Sequence, residues 1–215
     1  MDQWLKARPN LHALGRNGET GVHHGMLVHT VTEVASAIGR CFPPDNIFFC
    51  PPYEADVNRV LDQCRFVAGS LADLRFLERS AESAGAACLL SVGLRLQSPD
   101  LPPVGNAVLP DQLAGYTCVI RSLRHLTVRG CFFCGDLTGV HGEALGRFFR
   151  AGYETAKRMT VTLPCAMPYR GYEGGIAAIR KNAELHPETL DDCLRALDIM
   201  MMQNETAFYA KLYMS

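Results

Sequence analysis

The stretch "RFVAGSLADLRFLERSAESAG", Arg65 to Gly85, decides the fold. It opens with a short apolar run that ends on glycine. Ser70 and Asp73 then give a capping-box-like helix start, with Leu71, Leu74 and Leu77 at helical spacing behind them. One strand followed by one helix is the expected reading, and "ACLLSVGLRL", Ala87 to Leu96, is the next strand.

The same unit repeats on both sides. Towards the N-terminus "GMLVH" precedes the helical "TVTEVASAIGR", and "IFFC" precedes "PPYEADVNRVLDQC", whose prolines suit a helix start. Towards the C-terminus the order is helix "DQLAGYTCVIRSL", strand "HLTVRGCFFCG", helix "HGEALGRFFRAGYETAKR" and strand "MTVTLPC". The strands are continuous apolar runs rather than strict alternations, as parallel strands covered by helices are. Phe48, Val67, Leu90, Val128 and Val161 are expected on them. The fold class is therefore α/β, an incomplete (β/α) barrel of residues 1–169; an open doubly wound sheet shares this alternation. Residues 170–215 show no strand pattern and are expected as a helical C-terminal tail, with one long helix from Pro187.

Composition narrows the function. The chain has 215 residues, 48% of them hydrophobic, and a net charge of -1. It carries no block of Lys and Arg of the kind that holds nucleic acid, and no apolar run of membrane-spanning length, so neither nucleic acid nor membrane is an expected partner. No secretion signal is read at the N-terminus, and a cytoplasmic location is expected. The nine cysteines are odd in number, irregularly spaced and partly within apolar runs, which suits reduced thiols. Cys131 and Cys134 in "CFFC" have a metal-like gap, but on a strand an offset of three points them to opposite faces, and no metal site is expected.

Only four lysines are present, and three of them, Lys157, Lys181 and Lys211, fall in segments read as helices. The fourth, Lys6, lies in "LKARPN", Leu5 to Asn10. This motif resembles the "VKANPN" of the barrel domain of the superfamily of alanine racemase and the ornithine and diaminopimelate decarboxylases. Further likenesses follow in order: "MLVHTVTEV", "PPDNIFFCPPYEADVNRVL", "FVAGSLADLRFLERSAE", "LLSVGLRL" and "TVRGCFFCGDLTG". They cover roughly Trp4 to Thr138.

The resemblance implies a pyridoxal phosphate site at the C-terminal ends of the strands. Lys6 would be the Schiff-base lysine and catalytic residue. The other cofactor-binding candidates are His29 at the end of the second strand, Arg95, Cys134, Gly135, Gly174 and Gly175, the glycines supplying backbone N–H groups. Departures from the family fall on the chemistry. Phe132 and Cys134 stand where histidines are expected, the fifth-strand arginine is Ser91 with Arg95 four residues on, and "GYEGG", Gly171 to Gly175, is the nearest glycine-rich turn. The family's C-terminal β domain has no counterpart in these residues. Two functions follow. One is a degenerate, non-catalytic relative acting as a binding or regulatory protein. The other is an active pyridoxal phosphate-dependent decarboxylase or racemase acting on an amino acid or amine. Because a barrel short of one unit leaves strand edges open, a homo-oligomer or a partner chain completing the site is expected.

Overall fold

The computed structural model describes residues 11–15, 25–52, 56–86, 89–163, 169–208 and 211–214. Among the described residues eight strands and six α-helices run in the order β1 (Leu11–Gly15), β2 (Gly25–Val28), α1 (Val31–Gly39), β3 (Ile47–Phe49), β4 (Arg65–Ala68), α2 (Leu71–Ser83), β5 (Leu90–Gln97) and α3 (Leu113–Ser122). Then come β6 (Leu126–Cys134), α4 (Gly142–Thr162), β7 (Tyr169–Tyr172), α5 (Gly175–Leu185), α6 (Pro187–Phe208) and β8 (Lys211–Met214). All eight strands are parallel and form a closed ring in chain order.

Side-chain caps set the helix starts, at Ser70 as read from sequence and at Thr30 as the structure adds. Ser70 accepts from the Asp73 N–H at 3.1 Å, and the Asp73 carboxylate reaches back to the Gly69 N–H at 2.9 Å. Thr30 and Glu33 make a reciprocal capping box at the start of α1.

Alternation along each strand sorts the side chains into two apolar layers. Leu14, Leu27, Phe48, Val67, Phe132 and Tyr169 fill the inside of the ring. Phe49, Phe66, Leu94, Cys131, Phe133 and Phe149 belong to the larger layer between ring and helices. Inside, the Phe48 ring meets Phe132 edge-on at 5.0 Å and Tyr169 at 5.3 Å. These rings need neighbours without side chains: a Cβ on Gly130 would overlap the Tyr169 ring, and one on Gly171 would overlap Phe132. Below them the Arg65 guanidinium lies 4.8 Å from the Tyr169 ring centre and pairs with Asp45.

The α/β class and the (β/α) barrel stand, and the coat of helices is incomplete: the described residues between β3 and β4 hold a single 3-10 turn, Val57–Arg59, where a helix is expected from "PPYEADVNRVLDQC". Leu61 is buried all the same, because the segment packs as a compact turn. Three further expectations are corrected. "MTVTLPC" is not a strand through Val161; α4 continues to Thr162 and leaves Val161 86% exposed. Threonine and valine suggested a strand there, but the tertiary context of a long amphipathic helix overrides that weak preference.

Residues 170–215 are not wholly helical, since Tyr169–Tyr172 and Lys211–Met214 are strands of the ring. Both are only four residues long, too short to show a period. Lys211 thus opens a strand, in register with Tyr169. Finally, the open edges expected of a barrel short of one unit are absent among the described strands, because β8 pairs with both β7 and β1.

Candidate functional site

Functional groups of barrels gather where the C-terminal ends of the strands open, the mouth. Inward positions of β5 place Arg95 and Gln97 there, two residues apart on one face. Glu173 follows β7 directly, and Cys50 and Cys134 lie at the ends of β3 and β6.

Arg95 and Glu173 form a buried fork: Nε donates to Oε1 and Nη2 to Oε2, both at 2.7 Å. The remaining arm, Nη1, donates to the carbonyls of Val104 at 2.8 Å and Asn106 at 3.0 Å. Burial works against the Arg95 charge, and the Glu173 carboxylate outweighs it, so the guanidinium is held above its ordinary range. Burial likewise pushes the Cys134 thiol up to about 12 and the Cys50 thiol up to about 11. At neutral pH both stay protonated and unsuited to nucleophilic work.

The segment from Ser98 to Val108 folds back over this mouth. The Gln97 amide donates to the carbonyls of Ser98 and Leu101 at 3.0 Å, and its oxygen accepts from Val104 N–H at 3.3 Å. Val108 N–H donates to the Arg95 carbonyl, and Asp136 N–H to that of Pro102. Leu101 packs so closely on Gly135 that a Cβ there would meet it at 2.9 Å. Likewise a Cβ on Gly69 would overlap the Asn106 carbonyl, so the segment's backbone takes the space of a side chain at the end of β4.

Of the residues singled out from sequence, the structure brings Arg95 and Cys134 together, with Gly135 beneath the folded-back segment. Gly174, at φ 73°, and Gly175 turn β7 into α5 next to Glu173. His29 is exposed just past β2, its backbone N–H donating to Glu33 at 2.7 Å. Lys6 lies outside the described residues, and β1 begins after it, at Leu11. Glu173, Gln97 and Cys50 were missed. Glu173 could have been noticed as the acid inside "GYEGG", and Gln97 as the next inward residue after Arg95.

The described mouth does not fit pyridoxal phosphate. The arginine and the carboxylate neutralise each other, the covering segment takes the third arm of the guanidinium, and Cys134, at the end of β6, is a buried protonated thiol. Among the described lysines, Lys157 and Lys181 lie on α4 and α5, and Lys211 is the first residue of β8, at the end of the ring opposite the mouth.

No family model and no curated protein sequence matches the chain. Solved structures do. AQ1208 from Aquifex aeolicus superposes with a TM-score of 0.71 at 15% identity, covering 100% of this chain and 53% of that one. Diaminopimelate decarboxylase from Helicobacter pylori, complexed with L-lysine, gives 0.62 at 13% identity over 89% of this chain and 50% of that one. Alanine racemase of Clostridium difficile 630 gives 0.64 at 10% identity over 99% and 52%. The chain spans about half the length of the solved proteins it matches. What the likeness shows is the fold: this chain is built as the (β/α) barrel that diaminopimelate decarboxylase and alanine racemase contain.

Proposed function

We propose that the chain is a non-catalytic relative of the barrel domain of pyridoxal phosphate-dependent decarboxylases and racemases, working as a binding or regulatory protein. One observation carries this reading. Arg95, the polar side chain of the mouth best suited to hold an anionic ligand, is engaged on all sides by Glu173 and by backbone carbonyls of the segment folded over it. A site built for catalysis leaves such a group facing the place where charge develops. Association with a second copy or a partner chain accords with this role; it would use exposed apolar side chains of the helices, among them Leu185 and Ile199, rather than open strand edges.

The competing reading, an active decarboxylase or racemase with Lys6 as its Schiff base, is favoured by "LKARPN" and by the barrel's likeness to such enzymes. Absorption spectroscopy with added pyridoxal phosphate separates the two. The non-catalytic reading expects no stoichiometric visible band and no turnover of L-lysine, alanine or arginine. A tight band that Lys6→Ala abolishes while the fold is kept, with turnover of an amino acid, would establish the enzyme.

A further inference from the structure

We propose that the segment Ser98–Val108 is a hinged strap that gates the barrel mouth, clasped shut by the pairing of Arg95 with Glu173. The inference deepens the reading of the mouth as closed and rests on it.

The strap is attached in an unusual way. Its anchors are two inward side chains of the strand that leads into it, Arg95 and Gln97, which together bond its backbone at five of its residues: Ser98, Leu101, Pro102, Val104 and Asn106. None of these six bonds uses a side chain of the strap; Asn106 adds one, its amide donating to Asp73 at 3.4 Å. The strap's C-terminal end is fixed, with Val108 buried in the core at 1% exposure, whereas its middle is only partly withdrawn from water: Val104 is 39% exposed, and Leu101 packs against the core from a half-buried position. The hold on this middle part is polar: Gln97 and the backbone of Asp136 fasten Ser98 to Pro102, and the stretch from Val104 to Asn106 depends on the orientation of one guanidinium. That orientation is fixed by Glu173, which stands at the end of β7, across β6 from Arg95. If the fork is lost, the buried guanidinium keeps its charge without a counter-charge, and the cheapest way to hydrate it is to lift the strap.

Beneath the strap lies a built-in reporter. Cys134 faces the mouth with its thiol 3.9 Å from Gln97 Oε1, whereas Cys131, on the same strand, faces the layer under the helices. Both are buried, Cys134 at 1% and Cys131 at 0% exposure. Opening the strap uncovers Cys134 and leaves Cys131 covered; global unfolding uncovers both.

The test is alkylation of the full chain by N-ethylmaleimide with each cysteine followed by mass spectrometry. In Glu173→Gln the rate at Cys134 is expected to rise at least ~10-fold with Cys131 unchanged, the signature of a local opening. An unchanged Cys134 rate in this variant overturns the proposal. If both rates rise, the variant has lost its fold, and the wild type decides: a shallower urea dependence of alkylation at Cys134 than at Cys131 supports a strap that opens by itself, and equal dependences overturn it. No cofactor takes part in this measurement, so its outcome is separate from that of the pyridoxal phosphate titration.

Discussion

Arg95 on β5 and Glu173, directly after β7, reach each other over β6 through two parallel hydrogen bonds of 2.7 Å. The pair ties the two sides of the mouth together. Arg95→Ala leaves a buried carboxylate alone and frees the carbonyls of Val104 and Asn106, so a loss of about 3–5 kcal/mol is expected in urea unfolding. Replacing both partners, as in Arg95→Met with Glu173→Leu, should recover most of that loss; additive losses would mean that the two do not act as a pair.

Gly130→Ala drives a methyl group into the Tyr169 ring, which is held between Phe48, Phe132 and Arg65. Overpacking of this kind costs about 1–3 kcal/mol. Adding Tyr169→Leu to Gly130→Ala should cost less than the two single changes summed, as read from thermal or urea midpoints.

The thiols of Cys50, Cys64 and Cys134 are pushed by burial from 9.0 up to about 11, about 12 and about 12. A thiol with a raised pKa ionises first in the unfolded chain, so the unfolded state binds fewer protons above pH 9 and stability falls as pH rises. Between about pH 9 and 11 the urea midpoint should drop, the unfolding free energy falling by on the order of 1 kcal/mol per thiol per pH unit, and Cys134→Ala should flatten the slope. A midpoint constant across this window would mean that these thiols reach water.

Val161 sits on α4 with 86% of its surface exposed. Val161→Lys should therefore change stability by less than about 0.5 kcal/mol, the usual range of open surface sites. If Val161 were inside a strand of the ring, the same change would cost several times more.

Much of the ring was legible because its strands are written as apolar runs with helical patterns behind them, as at Phe66 to Asp73, where the cap was legible too, and at Leu27 to Glu33, where the cap was not noticed. Tyr169–Tyr172 was not, since "YRGY" alternates neither in polarity nor in size, and its burial comes from distant partners, Phe48 and Phe132 for Tyr169 and Phe133 and Phe149 for Tyr172. Arg95 was found as a candidate through the family resemblance, but not its engagement. That depends on Glu173, 78 residues away, and on backbone carbonyls of the strap, which no side-chain pattern records. The opposite directions of Cys131 and Cys134 were legible from strand geometry alone.

The seam of the ring, where Leu11 is in register with Leu212, joins strands some 200 residues apart in the chain. On the ribosome β1 would wait for its second neighbour until β8 emerges, roughly 10–40 s later at ordinary rates of synthesis. For all that time a row of backbone N–H and C=O groups stands open to any other extended chain. The arrival of β8 thus ends the nascent ring's exposure to aggregation, and chaperone dependence should be greatest just before that strand leaves the exit tunnel.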